Sequence, residues 1–364
     1  MKRKSYPSQL KSKLEKIMWI CLFWILISLL QFFNGYSTMI YLEFDISELD
    51  PIPFMAGAVF TGLIAGLIGG STMVFFWEQW LRTKSYGSSL LSIFWSYTLV
   101  FFTVALLTGL FFHAGQLHTH VFDIRVWNEA WQDSFSAGQV QNYIFWLLVV
   151  IITLIGLLVN DKYGPGIFVS FLLGRYFHPR REDRIFMFLD LKGSTTIAEK
   201  LGEERYFNFL KDTYSDATPG ILESKGEIYQ YVGDEIVVSW KPDSGKENIN
   251  ALQCFFDIQQ RLLDRSAYYR AHYAGILPEF KAGLHYGFVT AGEIGVVKRD
   301  IVYSGDVMNT TARIQGKCNE LGVNILLSKS LLDKLGTLQN LFEPTEMGQI
   351  ALRGKQDAMM LYTV

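Results

Sequence analysis

The stretch R184-IFMFLDLKGSTTIAEKL-G202 sets an acid at the end of an apolar run and follows it with Gly-Ser-Thr. The run Ile185–Leu189 reads as a buried strand. Residues 195–225 then show helical spacing, and Thr196 with Glu199 predicts a capping box at the start of that helix. A carboxylate at Asp190 therefore stands beside the free backbone N–H groups of a helix N-terminus, a setting that suits phosphate.

A second acid has a similar place. In G226-EIYQYVGDEIVVS-W240 two strands turn at Gly233-Asp234. If both turns share one sheet edge, Asp190 and Asp234 converge and would hold Mg²⁺, a hard ion that takes oxygen ligands. Each residue also has a plain structural role, as helix cap or turn former, and spacing alone leaves both readings open.

The rest of the soluble half interleaves strands and helices. Residues 248–272 predict one long amphipathic helix, 280–295 a hairpin, 306–321 a helix, and 323–328 and 359–364 strands. That order predicts an α/β sandwich, of the α+β kind, with a mostly antiparallel sheet.

The first half is different. Stretches 17–33, 54–77, 88–112 and 143–159 are each apolar enough to span a bilayer, and the first is followed by no small-residue cleavage site. Lys2, Arg3, Lys4, Lys11, Lys13 and Lys16 place the N-terminus in the cytoplasm. The 34–53 loop carries Glu43, Asp45, Glu48 and Asp50 without Lys or Arg and lies outside. Arg82 and Lys84 return inside, residues 113–142 lie outside, and Lys162, Arg175, Arg180 and Arg181 are inside. The reading is a multi-pass protein of the cell (inner) membrane with its C-terminal half in the cytoplasm.

Within the spans the only charge is Glu78, at an edge, which argues against transport. Gly62, Gly66 and Gly70 form a close-packing stripe, either within one bundle or between subunits. His113, His118 and His120 read as a solvated loop rather than a metal site. Gly164-Pro165-Gly166 breaks the last span, residues 167–177 are apolar enough for a short helix, and His178-Pro179 stops it. The expected domains are thus 1–159 (four-span membrane domain), 160–182 (linker or transducer) and 183–364 (catalytic). A net charge of −2 gives no pull toward nucleic acid, and Cys21, Cys254 and Cys318 are too isolated for disulfides or zinc.

F186-MFLDLKGS-T195, Y229-QYVGDEIV-V238, K281-AGLHYGFVTAGEI-G295, Y303-SGDVMNTTAR-I314 and L352-RGKQDAMMLYT-V364 resemble, in order, the motifs of class III nucleotidyl cyclase catalytic domains. Membrane-anchored bacterial adenylyl cyclases are the most similar overall type. Val232-Gly233-Asp234-Glu235-Ile236 also resembles the GGDEF signature of diguanylate cyclases, but Val232 and Ile236 depart from it and the later motifs do not fit.

The resemblance implies a ferredoxin-like cyclase fold and a residue-by-residue site. Asp190 and Asp234, with the Leu191 backbone, match the metal-binding positions for two Mg²⁺ or Mn²⁺ ions per site. Leu191, Lys192, Gly193, Ser194 and Thr195 match the segment around the nucleotide phosphates, and Lys355 matches a lysine on the triphosphate. Asn309 and Arg313, one helical turn apart, match the pair that steadies ribose and transition state. Gln230 and Val302 occupy the base-selecting positions and follow neither the adenine nor the guanine pattern; Asp300 is a substitute if the register differs.

The implied activity is conversion of ATP to 3′,5′-cyclic AMP and pyrophosphate in a homodimer with sites at the interface. GTP or relaxed use, and a nucleotide-binding module without turnover, are the alternatives. In the first two readings the membrane half anchors and pairs the subunits.

Overall fold

The computed structural model describes residues 6–44, 50–77, 80, 85–163, 170, 173–242, 246–297, 299–335, 342–355 and 357–364. Lys2 to Lys4, Asp45, Glu48, Glu78, Arg82, Lys84, the Gly164-Pro165-Gly166 break and residues 167–169, 171 and 172 lie outside the described residues. The chain divides into two units, 1–162 and 163–364.

The first unit contains α1 (Tyr6–Tyr41), α2 (Pro51–Thr72, continued by a π-helical turn to Trp77), α3 (Tyr86–Gln116), α4 (Ile124–Ser134) and α5 (Ala137–Tyr163). Segments Leu10–Tyr41, Pro51–Trp77, Gly87–Gln116 and Ala137–Asn160 are long and apolar enough to cross a membrane. The glycine stripe packs within this unit. A Cβ on Gly62 or Gly66 would lie 2.7 Å from the Cα of Ile25 or Cys21 on α1, so these glycines let the two backbones touch. Trp24 Nε1 donates to Thr153 Oγ1 at 2.9 Å and fastens α1 to α5.

The 113–142 segment is more ordered than a mixed loop. Asp123 caps α4 by accepting from the Arg125 N–H, and Ala130 packs on Gly109 of α3. His113 is not a solvated loop residue. It ends α3 mostly buried, with Nδ1 3.2 Å from Glu129 Oε2 on α4. No cluster of three metal-ligating side chains occurs among the described residues.

The second unit is built on β1 (Arg180–Leu191), followed by α6 (Ser194–Leu201), α7 (Glu203–Glu223), β2 (Glu227–Val232) and β3 (Glu235–Trp240). Then come α8 (Asn250–Asp264), α9 (Ser266–His272), β4 (Phe280–Ile294) and β5 (Asp300–Ser304). The unit closes with α10 (Asp306–Gly316), β6 (Ile325–Ser328), α11 (Lys329–Leu335), β7 (Thr345–Ile350) and β8 (Met359–Thr363). The sheet order is β2-β3-β1-β4-β6-β8-β7, with β5 on β4. Every pairing is antiparallel except β4–β6, so the mostly antiparallel sheet is as expected.

The unbroken apolar run of β1 follows from burial on both faces. Ile185, Met187, Leu189 and Leu191 pack with Phe209, Ile221, Leu252 and Ile258 of the helical layer. Phe186 and Phe188 point the other way, against Val237, Val289 and Val307 of α10.

Four local expectations are corrected. Residues 280–294 form one strand, because Gly283 and Gly287 are contact points for α10 and not turns. A Cβ on Gly283 would sit 2.4 Å from the Gln315 backbone nitrogen, and one on Gly287 3.1 Å from Val307. The hairpin partner is β5. The helix after Asp190 begins at Ser194, behind Gly193 with φ +66°, so Thr196 lies inside it and forms no capping box. That helix breaks at Gly202 (φ +76°), and the 248–272 helix divides at Arg265. Strand β7, which pairs with β8, was not foreseen.

Two predictions follow from the face under α10. Gly283→Ala should destabilise the unit by ~1–3 kcal/mol through overpacking, whereas Gly316→Ala, with nothing within 4 Å of its Cβ, should not; thermal melts of the purified full chain compare them. His285 is buried on β4 with Nδ1 2.7 Å from Ser328 Oγ, and burial lowers its pKa to about 4. The unfolded chain protonates first, near pH 6.5, so stability from the neutral imidazole is present above that value and lost as pH falls toward 4, at up to ~1.4 kcal/mol per pH unit. Melts of His285→Gln between pH 7 and 4.5 should show a smaller loss of Tm than wild type.

Candidate active site

Asp190 stands near the end of β1, where the register sets it between Glu235 of β3 and Lys281 of β4. Side chains at opposed positions share a face of the sheet, so two carboxylates and an ammonium meet there. Asp190 Oδ2 takes a hydrogen bond from Lys281 Nζ at 3.1 Å and another from Gln315 Nε2, also at 3.1 Å. Burial pushes the Asp190 pKa up, and the Lys281 contact works against that rise.

Asp234 follows Gly233, whose φ of +62° makes the tight β2–β3 turn. Its charge adds to that of Asp190 on the neighbouring Glu235. Burial first, then Asp190 and Asp234, raise the Glu235 pKa to about 7. The turn and the strand end therefore form one acidic locus with hard oxygen donors, of the type that takes a divalent cation.

Beyond Asp190 the chain passes Leu191 and Lys192 and enters α6. The Lys192 N–H donates to the Glu279 carbonyl at 2.8 Å, and Lys192 Nζ lies 3.3 Å from Glu279 Oε2. Gly193 supplies the left-handed residue that turns the chain into α6. Ser194 and Thr195 occupy the first turn of that helix, where amide N–H groups have no intrahelical partner.

A second group gathers on the outer side of α10. Val307, Thr311, Ile314 and Gln315 are buried, whereas Asn309 is exposed and Arg313 half-buried. Residues two apart on a helix are separated by about 200°, so Arg313 and Gln315 take opposite sides of α10. Gln315 is the one that reaches Asp190. Lys355 pairs with Asp306 at the start of α10, and this hydrogen bond is the main cause of the lowered Asp306 pKa. Arg313 lies over Gly354, where a Cβ would be 3.4 Å from its guanidinium. The fold thus joins Asp190 with Asp234, and Arg313 with Lys355, as two separate groups in one subunit.

Gln230 is exposed on β2 opposite Val237, and Val302 is on β5 opposite Gly292. Their neighbours touch: the Tyr303 N–H donates to Tyr229 Oη at 3.3 Å, and the two rings lie 4.9 Å apart. Asp300 opens β5, two residues before Val302. A cavity lined by Ser224, Trp240 and Pro242 lies at the far end of β3 from Glu235.

Sequence reasoning did not single out Lys281, Glu235, Gln315 or Asp306. The visible signal for Lys281 is a lone cation inside the apolar run Phe280–Leu284, whose meaning depends on strand register.

Residues 178–364 match the adenylate and guanylate cyclase catalytic domain. The chain is 38% identical over 177 residues to adenylate cyclase 2 of Rhizobium meliloti (strain 1021), covering 49% of this chain and 48% of that protein. It is 27% identical over 205 residues to guanylate cyclase D of Mus musculus, covering 54% and 18%. It therefore spans about half or less of the length of these curated relatives. Among solved structures, a bacterial light-regulated adenylyl cyclase superposes with a TM-score of 0.51 at 24% identity, covering 61% of this chain and 64% of that one, which supports the fold. With its five motifs in order on this sheet and its whole second half matched, the chain belongs to the adenylate and guanylate cyclase catalytic domain family.

Proposed function

We propose that this protein is a membrane-bound adenylate cyclase that works as a homodimer on ATP. The observation that carries the reading is the division of polar groups by α10. Asp190 and Asp234 share one locus, while Asn309 and Arg313 occupy the opposite side of that helix. One subunit so arranged carries half of each of two sites, and a two-fold pair completes both.

In the reaction the ribose 3′-oxygen forms a bond to the α-phosphorus, the bond to the bridging oxygen of pyrophosphate breaks, and the hydroxyl proton is released. Asp190, Asp234 and the Leu191 carbonyl are the donors suited to Mg²⁺ or Mn²⁺, and the Glu235 pKa, raised by burial and then by the charges of Asp190 and Asp234, reflects the crowding of carboxylates there. Bound cations supply a lowered hydroxyl pKa and neutralised phosphate charge. The chain's own groups do the rest. Gly193, Ser194 and Thr195 offer backbone N–H groups to the phosphates, and Lys355 offers an ammonium. Asn309 orients the ribose. Arg313 offsets charge growing on the α-phosphoryl oxygens, a contribution commonly of about 3 kcal/mol.

The second reading is guanine or relaxed use. It is favoured by Gln230, whose amide both donates and accepts, and by Val302, which does neither. Catalytic domains of this family act on either nucleotide, as the names of the two relatives indicate. The spans and their charge pattern support a cell-membrane protein with the catalytic unit in the cytoplasm.

Detergent-purified full chain given ATP or GTP, each with Mg²⁺ or Mn²⁺, should yield cyclic AMP from ATP by mass spectrometry. Cyclic GMP alone establishes the second reading, and no product overturns both. Asp190→Ala should lose activity by at least ~10²-fold while remaining folded, with a lowered Tm because Lys281 loses its carboxylate partner. Asp190→Ala and Arg313→Ala, each inactive alone, should restore about a quarter of wild-type activity when co-expressed, since half of random dimers are mixed and one site in each is intact. No recovery would refute the shared site.

A further inference from the structure

Among the described residues Arg184 is the largest fully buried side chain, and it is charged. It lies on the same face of β1 as Phe186, Phe188 and Asp190, six residues from the acidic end of the strand. Its Nη2 and Nε donate to Glu182 Oε2 at 2.9 and 3.1 Å. Its Nη1 donates to Glu227 Oε2 at 2.5 Å and to Ser239 Oγ at 3.3 Å. The guanidinium carbon stands 4.9 Å from the centre of the Tyr303 ring. Glu182 also accepts from Tyr176 Oη at 3.3 Å.

These contacts tie together strands that the sheet keeps apart. Glu227 begins β2, three residues before Gln230, and Tyr303 follows Val302 on β5. β2 pairs only with β3 and β5 only with β4, and β3, β1 and β4 separate them. No backbone ladder sets the distance between β2 and β5. The Arg184 fork, the Tyr303 ring above it and the Tyr303–Tyr229 hydrogen bond do so instead.

Burying a guanidinium costs several kcal/mol before its partners offset the loss, and apolar replacements of buried ion pairs are often as stable. Stability alone is therefore a weak reason for an arginine here. Its planar fork, unlike an ammonium, fixes the direction of each partner. We propose that Arg184 is a positioning residue for base selection, holding β2 and β5 at the spacing that places Gln230 and the Val302 backbone against the purine. This rests on the reading of Gln230 and Val302 as the base-facing positions.

The test measures kcat and KM for ATP and for GTP on the full chain in detergent. The main variant is Arg184→Met/Glu227→Gln, which removes the fork and the Glu227 charge and leaves Glu182 with the bond from Tyr176 Oη. Its kcat/KM preference between the two nucleotides should fall by about tenfold, mainly through KM for the preferred one, with kcat within threefold of wild type. Glu227→Gln alone, at a half-exposed position, should shift the preference by about threefold and stands in if the double variant fails to fold. Gln230→Lys tests the underlying reading. If Gln230→Lys moves the preference and the folded Arg184 and Glu227 variants leave it within twofold, or lower kcat for both nucleotides alike, Arg184 is structural only and the proposal is overturned. If Gln230→Lys leaves the preference unchanged, the base assignment has failed and the proposal falls with it.

Discussion

A carboxylate at the end of a strand buried on both faces is the constraint around which the catalytic unit is arranged. Desolvation raises the cost of its charge, and in this chain Lys281 and Gln315 supply the compensating bonds. Each of those partners is where it is for a further structural reason. Lys281 faces Asp190 because β4 runs antiparallel to β1 in a register that pairs Leu191 with Phe280. Gln315 reaches Asp190 because α10 lies directly on glycine positions of β4, with no side chain between helix and strand at Gly283. Moving β4 would leave Asp190 beside Glu235 and Asp234 without a cation to balance it, and moving α10 would remove the Gln315 hydrogen bond.

That arrangement also explains why one α10 serves two ends. Its inner side is fixed by packing against Gly283 and Gly287, so its outer side, carrying Asn309 and Arg313, is fixed with it. A rigid helix converts a packing contact into the placement of polar groups facing away from the subunit's own carboxylates. Lys355 joins that outer group through Asp306, although some forty residues of chain separate Lys355 from α10. The geometry is coherent for a site completed by a second copy and poorly suited to one subunit acting alone.

Much of this was legible in sequence because the signals are local. The strand-acid-Gly-Ser-Thr order fixed the first locus, the Gly233-Asp234 dipeptide fixed the turn, and helical spacing put Asn309 beside Arg313. What escaped was non-local. Gly283 and Gly287 show their role only once α10 is seen to lie on them, and one long strand read as a hairpin. Lys281 and Glu235 acquire meaning only from registers across β1, which no single segment contains. In the first unit, four apolar runs were plain, but α4 was hidden because its buried apolar residues are few, Val126 and Ala130 packing on Leu110 and Ala114 of α3, and much of the rest of the helix is polar or exposed.

The two faces of β1 therefore have different tasks. The helical-layer face is apolar from Ile185 to Leu191 and gives the unit its stability. The opposite face begins with a buried cation, Arg184, continues through two phenylalanines and ends with a half-buried anion, Asp190. An apolar sequence on both faces would build the same strand with less desolvation cost. The two charges differ from that alternative in what they orient: Asp190 gathers Lys281, Gln315 and the acidic turn, and Arg184 gathers β2 and β5. Under the proposed roles, one strand carries both the group that serves the phosphate end and the group that serves the base end, with the packed Phe186–Phe188 core between them.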